Sequence, residues 1–169
     1  TRIKGVLHLL KAFPLVKKEV KNVKLVFVGD GPLKERLSQL ALKFGVKRDV
    51  LFAGKTSPRK VAVYMRASDV VVIPSLIEGF GLVAVEAMSC GKAVIAYRAG
   101  GLPEVLDESC SILVRPGDVK ELAEAITTLL TNPDLKFKLE QNAVKKAKAY
   151  SWDRTAMETL NVYLEVLGK

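Results

Sequence analysis

The amino-acid sequence predicts a doubly wound α/β domain, a parallel sheet with helices on both faces, followed by a C-terminal helical extension. Three observations carry this. Short apolar runs such as Val70-Val71-Val72-Ile73 lack the polar alternation of a half-exposed strand and read as buried parallel strands. Segments with apolar residues at helical spacing separate these runs, as a parallel sheet requires of its crossover connections. Glycine turns at 29–31, 54, 79–81 and 100–101 each follow a strand. A parallel arrangement gathers them on one rim, the carboxyl edge at which Rossmann-like sheets bind ligands.

Taken in order, Val6, Leu9, Leu10, Phe13, Val16 and Val20 place a helix over about residues 4–20, with a disturbance expected at Pro14. A strand at 24–28 closes on Gly29-Asp30-Gly31-Pro32. Leu33, Leu37, Leu40 and Phe44 mark a second amphipathic helix, for which Gly45 is a suitable C-terminal cap. A short strand at 50–53 ends at Gly54, and Ser57-Pro58 opens a third helix with Val61, Tyr64 and Met65 inward. Strand 70–73, helix 81–90, strand 93–96 and strand 112–114 follow. After Pro116-Gly117 only helices are predicted: one capped by Asp118, one from Pro133 to about Ala149, and a last one capped by Ser151 and reaching Leu167. The chain opens inside a helix, whereas a sheet of this kind begins with a strand near its middle. A strand upstream of Thr1 is therefore expected to belong to the natural domain.

Composition narrows the function classes. A chain of 169 residues, 49% hydrophobic and 27% charged, suits one globular domain with a full core. No apolar run approaches the ~20 residues of a membrane span, and no signal peptide is visible. The two cysteines, Cys90 and Cys110, make no disulfide scaffold, so a reducing, cytoplasmic setting is expected. His8 is the single histidine, which excludes Ser-His-Asp chemistry elsewhere in the chain and histidine-rich metal sites. The formal charge of +9 comes from lysines scattered over nearly every helix, a pattern of solvated faces. It favours an anionic substrate, and is compatible with peripheral contact at an anionic inner membrane face. Aromatic residues, at 7%, are too few to supply the stacking platforms of a nucleic-acid binder.

The stretch from Pro74 to Ala87 concentrates the chemistry. Its strand end, glycine turn and helix N-terminus together present free backbone N–H groups and a positive dipole end to an anion. Glu78 lies in the turn and Glu86 on the helix, the only charge among Leu82, Val83, Val85, Ala87 and Met88. An ionised carboxylate in so apolar a helix is expected to have a partner, because burying it unpaired is costly. The combination suits an anionic ligand rich in hydroxyls, such as a sugar nucleotide. A Glu86 side chain far from the sheet's ligand rim, or turned outward into bulk solvent, would end the case argued from these two acids.

Lys4-Gly5, Gly29-Asp30-Gly31-Pro32, Pro74-Ser75, Glu78-Gly79-Phe80-Gly81-Leu82 with Glu86-Ala87, Gly91-Lys92-Ala93-Val94-Ile95-Ala96, and Gly100-Gly101 with Glu104 occur in that order. With these motifs residues 1–169 resemble the C-terminal, donor-binding half of a GT-B-fold glycosyltransferase of family 4, the retaining nucleotide-sugar enzymes. The resemblance implies catalytic roles for Glu78, beside the donor sugar, and Lys4, on the departing diphosphate. It implies donor binding by Glu86 at the ribose hydroxyls, by backbone N–H groups of Phe80, Gly81 and Leu82 at the diphosphate, by Gly29 on the same rim, and by Thr56 in the base-binding loop. The arginine that precedes the lysine in that family is absent here. UDP-, GDP- or ADP-sugars are the implied donors, an N-terminal acceptor domain the implied partner, and residues 151–167 the implied crossover helix to it. Hexosyl transfer would then belong to the full-length protein, and the isolated domain would be inactive. With no Asp-x-Asp triplet, metal-independent binding and no cofactor are expected. A non-catalytic nucleotide-binding module is the alternative, and nucleic-acid binding a more remote one.

Overall fold

The computed structural model describes residues 2–168. One turn of 3-10 helix (Arg2–Lys4) leads into α1 (Val6–Glu19), and strands then alternate with helices. They run β1 (Leu25–Val28), α2 (Lys34–Lys43), β2 (Val50–Gly54), α3 (Pro58–Ala67), β3 (Val71–Ile73), α4 (Leu82–Ser89), β4 (Val94–Tyr97), α5 (Leu102–Val105) and β5 (Ser111–Val114). Three helices close the chain: α6 (Val119–Thr131), α7 (Pro133–Ala147) and α8 (Trp152–Val166). The predicted helix starts hold: Ser57, Asp118 and Ser151 each accept a backbone N–H from the first turn of the following helix, and Asn132, which the sequence reading did not single out, does the same before Pro133.

Pro14 does not break α1. Proline removes one intrahelical hydrogen bond, but Leu9, Leu10, Ala12, Phe13 and Val16 are all buried around it. Packing of that breadth outweighs the missing bond and holds the helix continuous.

All strand pairs are parallel. β4 shows why the domain is doubly wound. Alternate residues of a strand point to opposite faces, and Ile95 and Tyr97 enter the core shared with α1 and α6. Val94 and Ala96 enter the core shared with α4 and α7. Every residue of β4 is buried, as the centre of a covered sheet demands. A third core beneath α1 and α2 joins Leu10, Phe13, Leu37, Ala41, Val46 and Val50. The strands form two groups, β1-β2 and β3-β4-β5, with no ladder joining β1 to β3 among the described residues. Val26 and Val28 of β1 are 39% and 38% exposed, unusual for a parallel strand.

The C-terminal extension stands apart from these cores. No residue of α8 is buried, and its apolar side, including Trp152, Tyr163 and Val166, is open to solvent. It does not fold back onto the sheet. No helix among the described residues is long and apolar enough to cross a membrane.

One buried polar contact ties α1 to the sheet: Tyr97 Oη lies 3.2 Å from His8 Nδ1. Burial, reinforced by the charge of Asp118, pushes the Tyr97 phenol up to about 12 from its ordinary 10.0. A phenol whose pKa is raised on folding stabilises the fold fully below its unfolded value and loses that contribution as pH rises toward the folded one. Melting curves of the parent and Tyr97→Phe should therefore diverge in slope between pH 10 and 12, with the parent losing stability faster. Parallel slopes would remove this contribution.

Candidate functional site

The site is built where three backbone segments meet with no room for side chains. Gly5, at φ 62 between the 3-10 turn and α1, sits so close to β3's exit that an added Cβ would lie 1.7 Å from the Pro74 carbonyl oxygen. Beside it, Leu76 donates its N–H to the Ile3 carbonyl at 2.7 Å. From the other side, a Cβ on Gly100 would lie 2.0 Å from the Glu78 carbonyl oxygen, and one on Gly101 2.2 Å from that of Gly79. Gly101 N–H donates to Glu78 O at 3.0 Å. The turn between β3 and α4 is thus clamped by the chain's first residues and by the turn after β4.

That clamp delivers Lys4 to Glu78. Lys4 Nζ donates to Glu78 Oε2 at 2.7 Å across 74 positions of sequence, and Ser75 Oγ donates to the same oxygen at 3.0 Å. Glu78 is half-buried, with 17% of its side chain exposed against 47% for Lys4. The Lys4 ammonium, supported by the Ser75 hydroxyl and the Gly79 N–H, holds the Glu78 carboxyl below its ordinary value despite partial burial. Glu78 is therefore a carboxylate at neutral pH. The two residues that the sequence assigns to separate tasks are each other's partners in this structure.

Gly81, at φ 98, adopts the left-handed conformation that starts α4, and no side chain caps the helix. The N–H groups of Phe80, Gly81 and Leu82 find no acceptor among the described residues. α4 buries Ala84, Ala87 and Met88. Its other face carries Leu82 and Val83, 53% and 43% exposed, continuing the exposed Phe80.

Glu86 lies on this open face, exposed, its side chain without an ion pair or hydrogen bond among the described residues. This corrects the expectation of a partnered carboxylate in apolar surroundings. Positions 82, 83 and 86 share one side at helical spacing, and because that side is apolar too, composition concealed which face met the core. The exposure also removes the burial argument for a ligand at Glu86.

The remaining candidates fall in a second group. Gly29 N–H donates to Gly54 O at 2.9 Å, which joins the turns after β1 and β2. Thr56 follows that junction, partly buried and without a side-chain hydrogen bond among the described residues. No such bond links this group to Glu78. An open depression of about 640 Å³, bordered by Asp30, Lys34 and Phe52, lies beside it and contains none of the residues from 78 to 86. No cluster of His, Cys, Asp or Glu among the described residues has the makings of a metal site. Sequence reasoning gave Ser75 no role of its own: Pro74-Ser75 entered only as one of the motifs of the resemblance, and a serine after a proline at a strand end reads as turn chemistry.

The chain is similar to known proteins in both sequence and structure. The family model described as glycosyl transferases group 1 matches residues 1–149. The chain is 36% identical, over 99% of its length, to 41% of an MMP α-(1→4)-mannosyltransferase from Mycolicibacterium hassiacum. Anabaena HepE, solved in complex with UDP-glucose, superposes with a TM-score of 0.87 at 28% identity, covering 98% of this chain and 46% of HepE. The C-terminal domain of the Francisella tularensis group 1 glycosyl transferase LpcC gives 0.81 at 29% identity, covering 88% of this chain and 80% of that domain. The chain spans about two fifths of the length of the curated relatives it matches.

The backbone clamp can be probed by adding one carbon. Gly101→Ala would force a Cβ against a carbonyl oxygen at 2.2 Å, whereas Gly79→Ala meets nothing within 4 Å, and neither position has a positive φ. The first should destabilise the protein by about 1–3 kcal/mol, and the second should stay within about 0.5 kcal/mol of the parent in thermal unfolding. Equal effects would mean the close approach is not a constraint.

Proposed function

The chain belongs to the group 1 glycosyl transferases, and we propose that it is the donor-binding half of a retaining enzyme. On this reading a hexose moves from a nucleoside diphosphate sugar to an acceptor held by an N-terminal domain of the same protein. The observation that carries it is the assembly of Lys4, Glu78 and the uncapped N-terminus of α4 at the carboxyl edge of the sheet. The costly event in such a reaction is departure of the nucleoside diphosphate from the anomeric carbon. Cationic and N–H donors preorganised around the diphosphate lower that barrier.

The N–H groups of Phe80, Gly81 and Leu82 would receive one phosphate at the helix end. Lys4 would exchange its Glu78 partner for the incoming anion, or bridge the two. Glu78, kept ionised, is unsuited to act as a general acid at neutral pH. It fits instead as an acceptor for sugar hydroxyls and as a fixed negative charge beside the positive charge that develops at the anomeric carbon. Glu86, free on the open face of α4 beside Leu82 and Val83, would accept two vicinal ribose hydroxyls while the nucleoside covers the apolar side chains. Gly29 and Thr56 would lie toward the base. UDP is supported as a donor nucleotide by HepE, and mannosyl transfer by the mycobacterial relative; GDP and ADP remain alternatives for the panel below. Binding is proposed to need no metal.

α8, with its apolar side uncovered, would cross to the acceptor domain.

In the full-length protein, turnover of a panel of UDP-, GDP- and ADP-sugars should identify one preferred donor, with the rate unchanged by EDTA. Glu78→Gln should lower kcat by about a hundredfold or more while donor affinity moves only a few-fold. Glu86→Ala should raise the donor KM by about tenfold through loss of a charged hydrogen-bond acceptor. Nucleotide binding without turnover of any sugar would favour a non-catalytic module. Binding of single-stranded oligonucleotide with a steep salt slope would favour the nucleic-acid alternative.

A further inference from the structure

We infer that Ser75 is a positioning residue that fixes the orientation of the Glu78 carboxylate, leaving one oxygen open to the donor. This rests on the donor-site reading above and extends it by one residue. Ser75 is 2% exposed, one of two buried polar residues among the described residues, the other being Ser111. The comparison between them is informative. Ser111 Oγ donates to the backbone carbonyl of Asp107, and the part-buried Ser68 donates to that of Met65. Both hydroxyls stitch backbone. Ser75 Oγ alone of the three donates to a carboxylate, Glu78 Oε2 at 3.0 Å.

The turn does not need that hydroxyl to hold its shape. Its backbone is already fixed by Leu76 N–H on Ile3 O, by Gly101 N–H on Glu78 O, and by the contacts of Gly5 with Pro74 and of Gly100 with Glu78. What the hydroxyl adds is orientation. Oε2 takes both side-chain donors, Lys4 from the exposed side and Ser75 from the buried side, while Oε1 accepts from no side chain among the described residues. If an incoming diphosphate draws Lys4 away, Ser75 remains as the side-chain donor holding Oε2 inward. The other oxygen then stays open to the donor through the step in which the Lys4 contact is lost. A carboxylate with only the lysine to orient it would be free to rotate at that moment, since its terminal torsion is broad.

The test uses the full-length protein with Ser75→Ala, Ser75→Thr and Glu78→Gln. Three readouts are taken: thermal unfolding, turnover of UDP-glucose and GDP-mannose, and titration of the Glu78 carboxyl carbon by carbon-13 NMR, assigned by its loss in Glu78→Gln. Ser75→Ala is expected to move the Glu78 carboxyl up toward its ordinary value and to lower kcat by about tenfold with donor KM within about twofold. Ser75→Thr, which keeps the hydroxyl, is expected to restore both wholly or in large part. Should Ser75→Ala leave the Glu78 titration unmoved, or lower kcat only in step with melting temperature, the inference is overturned and the hydroxyl serves the fold. Should the parent turn over neither sugar nucleotide nor any other in the panel, the transferase reading fails, while the carboxyl titration still decides whether Ser75 sets Glu78.

Discussion

The site depends on a contact that exists because a side chain is missing. The carbonyl of Pro74 points at the α-carbon of Gly5, at a range where any β-carbon would collide with it. This contact lets the chain's first turn lie flat against the exit of β3, and a lysine one position earlier therefore reaches a glutamate four positions past that proline. Gly100 and Gly101 repeat the device from the other flank. The three contacts place one cation and one anion at the mouth of an uncapped helix without relying on either side chain to hold the backbone. Preorganisation of this kind is what catalysis by electrostatics requires, because the donors need not be rearranged as charge develops.

The polar chemistry at the turn follows from that geometry. Glu78 is shielded enough to favour neutrality, yet the ammonium, the hydroxyl and the Gly79 N–H around it keep it charged. The same carboxylate in open water would need no such company. In the apolar helix nearby, Glu86 lies exposed and without a side-chain partner among the described residues. The two acids of one motif sit in different surroundings, and so they are suited to different work.

Most of the fold was legible in the sequence because its signals are local. Helix caps, strand-length apolar runs and the glycine turns all declared themselves within a few residues, and the two-sided burial of β4 followed from the continuous apolar run at 93–96. Three features were not legible. The persistence of α1 through Pro14 is set by packing partners far away in sequence. The exposure of Glu86 was hidden because both sides of α4 are apolar, so the usual contrast between faces is absent. The sharing of Glu78 Oε2 by Lys4 and Ser75 depends on a meeting of segments 74 positions apart, which no pattern in a single sequence encodes. Motif resemblance pointed to Lys4 and Glu78 individually, and only the fold brings them into contact.

The uncovered C-terminal helix has a consequence for how this domain behaves when it is handled alone. A lone helix of 15 residues with no buried side chain is marginal in water by itself, so α8 can unwind and rewind while the sheet remains intact. Its backbone amides should then trade hydrogen with solvent far sooner than those of β4, and proteases should trim it first. A clipped chain would lose its Trp152 fluorescence signal from the tail while the cores under α1, α4 and α6 stay folded.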